Sequence, residues 1–112
     1  MLSVHAALAA AGIPGYRGAF RPTAERPQPP DTYCVYRYTR TPGWPADDSD
    51  TVTHLRAFLH LYALGDPEAA LAAIRTEMRL QGYALIREDE GYENAAGQYE
   101  ILSEWRGMQY GA

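Results

Sequence analysis

At 112 residues, with 46% of them apolar, the chain has room for one domain spanning 1–112 with a modest core, and none for a second. Ten basic residues, all arginine, stand against fourteen acidic ones, for a formal net charge of −4. An acidic chain with no basic run argues against a nucleic-acid partner, because phosphate contacts supply most of that affinity. The single cysteine, Cys34, leaves no internal disulfide to form. The opening MLSVHAALAAAG lacks the basic flank of a signal peptide, and no stretch approaches the roughly 20 apolar residues of a membrane span. The expectation is a chain that is cytoplasmic when made and has no membrane partner.

In chain order, Ser3 predicts an N-cap for a short helix carrying Val4, Leu8 and Ala11 on one side, with Gly12 as its left-handed stop. IPGYRGAF follows as a short edge strand with Tyr16 and Phe20. Four of the eight prolines then fall between Arg21 and Pro30, which predicts an extended loop or sheet margin. Thr32–Arg40 alternates: Cys34, Tyr36 and Tyr38 share one face, and Tyr33, Val35 and Arg37 the other. Thr41–Thr53, with Pro, Gly, Trp44 and the acids Asp47, Asp48 and Asp50, reads as a long loop or as two strand ends splayed around one.

From Thr53 to Ala63 the alternation is clearer. Leu55, Ala57, Leu59 and Leu61 make an aliphatic face, whereas His54, Arg56, Phe58, His60 and Tyr62 make an aromatic and polar one. That division predicts helices on one side of the sheet and a wetter contact surface on the other. Asp66 and Pro67 mark a helix start as N-cap and first helical residue, with Leu71, Ile74 and Met78 as the buried stripe and Gly82 as the stop. Tyr83–Arg87 reads as a short strand, Glu88-Asp89-Glu90-Gly91 as a turn, and Gln98–Arg106 as a hairpin return strand. In the return strand Tyr99, Ile101, Ser103 and Trp105 alternate with Gln98, Glu100, Leu102 and Glu104. The fold class expected is α/β (α+β): a small mixed or antiparallel sheet, one main helix packed on one face, element order α-β-β-β-α-β-β.

The chemistry-bearing residues point mostly to a surface. Asp47, Asp48 and Asp50 fail the calcium-loop pattern, since Thr53 and Leu59 stand where it needs Gly and Glu. His54 and His60, six residues apart on a strand, lie about 20 Å from each other, too far for one metal. No residue pattern marks Cys34 as an activated thiol. The expectation is no catalytic residue, no metal and no cofactor. Nine tyrosines and two tryptophans are abundant for this length, and such residues serve both cores and contact surfaces.

Several steps recur in order along the chain: Ile13-Pro14, Tyr33-Cys34-Val35-Tyr36, Ala46-Asp47-Asp48, Leu61-Tyr62, Asp66-Pro67-Glu68, and Tyr92 to Tyr99-Glu100. In order and in length the series resembles the tail-terminator proteins (tail-completion or head–tail joining proteins) of long-tailed bacteriophages and prophages. The proline-rich Arg21–Pro30 segment departs from that pattern. The resemblance implies a structural virion protein made in the host cytoplasm. Such a protein caps the tail tube as a ring, usually of six copies, and joins it to the head connector or stopper. Its partners are then further copies of itself, the tail tube protein and the connector, with no chemistry required. The candidate interface comprises Trp44, Asp47 and Asp48 in the loop and His54, Arg56, Phe58, His60 and Tyr62 on the strand. Two other readings are open: a small α/β enzyme or ligand-binding domain using Cys34 and the strand histidines, and a regulatory protein that binds one partner by its aromatic face.

Overall fold

The computed structural model describes residues 2–42, 52–91, 94 and 97–110. Among them the chain forms α1 (Val4–Ala11), β1 (Gly15–Arg17), β2 (Thr32–Pro42), β3 (Val52–Leu64), α2 (Glu68–Leu80), β4 (Ala84–Glu90) and β5 (Gln98–Tyr110). The strands join in one sheet in the spatial order β1-β2-β3-β5-β4. The edge strand β1 runs parallel to β2, and the other pairs are antiparallel. The result is a small mixed sheet with two helices, an α+β domain.

Both helices start and stop where local chemistry dictates. Ser3 Oγ accepts the Ala6 N–H at 3.1 Å, and Gly12, at φ 74°, lets the Gly12 and Ile13 N–H groups fold back onto the Ala9 and Leu8 carbonyls. At α2 the Asp66 carboxylate accepts the Glu68 N–H at 3.0 Å, as a cap should. Pro67, expected as the first helical residue, lies one position outside the helix, although its backbone is already helical at φ −80°, ψ −4°. At the far end Gly82 takes φ 101°, the Gly82 N–H reaches the Arg79 carbonyl, and the Tyr83 N–H reaches that of Met78. This paired return satisfies carbonyls that α2 would otherwise leave unbonded.

One face of the sheet is sealed. Cys34 and Tyr36 of β2, Leu55, Ala57, Leu59 and Leu61 of β3, and Ile101 and Trp105 of β5 share one buried cluster with Val4, Ala7 and Leu8 of α1 and Leu71, Ile74 and Met78 of α2. The N-terminal segment is tied down by four hydrogen bonds. Leu2 N–H meets the Gln81 carbonyl, Ser3 N–H the Gln81 side chain, Val4 N–H the Tyr38 hydroxyl, and the Tyr83 hydroxyl donates to the Leu2 carbonyl. A helix as short as α1 is marginal alone, so these bonds and its burial against α2 hold it in place.

Three expectations need correction. The loop expected over Thr41–Thr53 is shorter, because the β2–β3 ladder runs on to the pair Pro42↔Thr53. Proline is tolerated there because it falls at the ladder's end. The acidic run Glu88-Asp89-Glu90 is no turn; it is the second half of β4, paired with Ser103, Leu102 and Ile101 of β5. Arginines neutralise it from both sides: Arg75 of α2 holds Glu88 in a two-pronged contact at 2.9 and 2.7 Å, and Arg87 lies 3.3 Å from Asp89. The return strand also exceeds its expected end at Arg106 and continues to Tyr110.

Candidate functional site: the open face of the sheet

The second face of the sheet carries the strand residues singled out from the sequence. Strand pairing sets them in rows across β2, β3 and β5: Tyr33, Tyr62 and Glu100; Val35, His60 and Leu102; Arg37, Phe58 and Glu104; Thr39, Arg56 and Arg106; Thr41, His54 and Met108. Phe58, His60 and Tyr62 are half-buried, and His54 and Arg56 are exposed. Among the described residues no helix covers this face, in contrast to the sealed one.

The rows are ordered by charge. At the end near the β2–β3 connection lie His54, Arg56 and Arg106; at the other end lie Glu100, Asp89 and a cluster of aromatic rings. Tyr33 stacks on Tyr62 with ring centres 4.9 Å apart, and Tyr16 and Phe20 extend the cluster edge to face. Burial first, then the neighbouring Glu100 carboxylate, raises the hydroxyl pKa of both Tyr33 and Tyr62 above the ordinary phenol value. His60 Nδ1 lies 3.1 Å from Glu100. In the middle row the Arg37 guanidinium lies 4.4 Å from the centre of the Phe58 ring. Glu104, only 9% exposed, receives Arg56 at 3.3 Å and Arg87 at 3.6 Å, one on each carboxylate oxygen. A buried carboxylate is tolerated here because two guanidinium groups offset its desolvation.

Concavities mark this face at both ends, besides a smaller one of about 240 Å³ beside Val35, Arg37, His60 and Tyr62. One of about 690 Å³ lies at the basic end, lined by Thr39, Thr41, His54, Arg56, Arg106 and Met108 with neighbouring glycines. Another of about 490 Å³ lies at the acidic end, where His60, Asp89, Glu100 and Leu102 meet. Among the described residues no group of three or more His, Cys, Asp or Glu side chains is arranged to hold a metal ion.

Of the residues expected to form an interface, His54, Arg56, Phe58, His60 and Tyr62 share this one face, whereas Trp44, Asp47 and Asp48 lie outside the described residues. Asp50 lies outside them too. Cys34 is not brought to the histidines. It pairs in register with Leu61 on the sealed side, while His60 pairs with Val35 on the open side. Burial pushes the Cys34 thiol up to about 12, so it carries almost no thiolate at neutral pH. The other ten residues of these rows, Tyr33, Arg37, Glu104 and Arg106 among them, were not expected as interface residues. Their alternation was visible, but the insertion of β5 between β3 and β4, which brings Glu104 and Arg106 beside Arg56, was not. Comparison with protein-family models finds no match for this chain, and comparison with curated proteins finds none either.

Proposed function

We propose that the protein is a structural subunit of a phage or prophage tail, a tail-terminator or head–tail joining protein that works as a ring of about six copies through heterologous contacts between neighbouring subunits. One observation carries this reading beside the sequence resemblance. The open face is polarised from arginines at one end to carboxylates and stacked tyrosines at the other. A head-to-tail contact needs two different complementary patches on each subunit, and a face that is basic at one end and acidic at the other supplies them. The half-buried aromatic rings add apolar area with hydrogen-bonding tips, the composition favoured at the centres of protein contacts. No bond is made or broken in this function; the ring caps the tail tube and offers a surface to the head connector by fit alone. Cys34, buried on the far side of the sheet from His54 and His60, gives the small-enzyme alternative no nucleophile–base pair.

Light scattering on the purified protein, alone and mixed with isolated tail tubes, tests the proposal. The expected result is association into a ring or binding to the tube end. Tyr62→Glu should weaken that association while circular dichroism shows the fold intact, because Tyr62 is half-exposed and lies outside the sealed core. A protein that stays monomeric at every concentration and binds no tail or connector component refutes it.

A further inference from the structure

The basic end of the open face holds an arrangement that strand pairing alone disfavours. Arg56 and Arg106 are directly opposite each other on β3 and β5. Like charges in that position destabilise a sheet, with Cβ atoms only about 4.5–5.5 Å apart. Glu104 relieves Arg56 at 3.3 Å but divides itself with Arg87. No acidic side chain among the described residues pairs with Arg106. His54 lies in the adjoining row, and the Thr39 and Thr41 hydroxyls complete the rim of the groove, which has no carboxylate among its described lining residues.

We infer that this groove is a carboxylate-binding site, and that it docks an acidic, extended segment of a partner protein across Arg56 and Arg106. Two guanidinium forks side by side match two carboxylates, each of which can accept a two-pronged hydrogen bond. In an extended peptide, side chains two residues apart project on one side about 7 Å from each other. Guanidinium groups on flexible stems of neighbouring strands span that separation. The shape favours a chain over a small free anion. The groove is broad, at about 690 Å³, and Met108, 49% exposed, adds an apolar side chain to its lining. Nucleic acid fits less well. The chain as a whole is acidic, the described residues lining the groove offer only His54, Arg56 and Arg106 as basic groups, and the stacking rings Tyr33 and Tyr62 lie at the opposite end of the face. The groove lies in the basic patch that the proposed ring contact would use, so a neighbouring subunit would compete for it; the titration is made on the monomer, where segment binding and ring assembly succeed or fail separately.

The test is an NMR titration of the full chain with an acetylated Asp-Gly-Asp-Gly-Asp amide. Its asparagine counterpart, inorganic phosphate and a short single-stranded oligonucleotide are the comparison probes. The expected result is saturable binding of the aspartate peptide alone, with shifts centred on His54, Arg56 and Arg106. Arg106→Gln should weaken it about tenfold, the loss of one charged hydrogen-bonding pair, while Arg21→Gln, which removes an equal charge from the proline-rich segment, should not. Equal losses in the two variants would reduce the effect to net charge and overturn the site. Phosphate binding as tightly as the peptide would make it a free-anion site, and tighter binding of the oligonucleotide would make it a nucleic-acid surface; either overturns the inference. No saturation by the aspartate peptide at millimolar concentration does the same. An unchanged spectrum away from the groove in Arg106→Gln establishes that the variant is folded.

Discussion

Ile74, 2% exposed, lies at the centre of the stripe that α2 presents to the sealed core. Ile74→Ala removes three buried carbons from the core, so it should cost about 2–5 kcal/mol in denaturant unfolding. An unchanged midpoint would mean that the helix does not dock through this residue. Cys34 makes a second prediction of the same scale. With its thiol fully buried and pushed up to about 12, it should resist iodoacetamide at neutral pH in the native protein and react once the chain is unfolded in denaturant. Fast native labelling would show that the strand carrying it opens to solvent. Ile74 was legible as inward-facing from helical spacing alone; for Cys34 alternation gave the face it shares with Tyr36 and Tyr38, but not which face of that strand is sealed.

The elements are joined by polar ties that periodicity does not reveal. The contact of Arg75 with Glu88 links α2 to β4, and the hydrogen bond it makes to Glu88, ahead of the opposing effect of burial, raises the arginine pKa further. In a double-mutant cycle with Arg75→Gln and Glu88→Gln, the coupling should be favourable and about 1 kcal/mol, near the upper end for a partly exposed pair because the geometry is two-pronged. Zero coupling would show that the pair only decorates the helix–strand contact. In sequence, Glu88-Asp89-Glu90 looks like a solvated turn, since a run of acids is costly to pack without partners that are distant in the chain. Asp89 meets Arg87 two positions away, but the partner of Glu88 lies thirteen positions away on α2 and the run pairs across the sheet with β5, where local reading does not reach. The same limit applied at the β2–β3 connection: turn-forming residues between 41 and 53 suggested a loop, and cross-strand pairing extended the ladder into it.

For the molecule as a whole, the tyrosines report on how the two faces are closed. Burial raises the pKa of Tyr36 and Tyr83 in the core and of Tyr33 and Tyr62 on the open face. The unfolded chain ionises its phenols near pH 10. Below that pH both states are protonated and the full stability is present. Above it the unfolded state sheds protons that the folded state retains, so stability falls as pH rises through and beyond about 10. Phenolate absorbance should therefore show Tyr33, Tyr36, Tyr62 and Tyr83 ionising only as the protein unfolds. Those four rings ionising near pH 10, with no loss of ellipticity, would contradict the packing of both faces.

By itself the sequence determined the local units. Helix caps at Ser3 and Asp66, left-handed stops at Gly12 and Gly82, and the division of the 53–63 segment into an aliphatic and an aromatic-polar face all depend on neighbours within a turn or a pleat. It also determined which strand face would be sealed, because Leu55, Ala57, Leu59 and Leu61 have no alternative to burial. Only the tertiary structure decided which strands became neighbours. Placing β5 between β3 and β4 set Arg106 beside Arg56 and brought Glu104 between two arginines. Pairing of strands far apart in the chain, such as Arg56 with Arg106 fifty positions on, leaves no mark in either strand's own alternation, so the charge order of the open face, and the groove at its basic end, arise from topology.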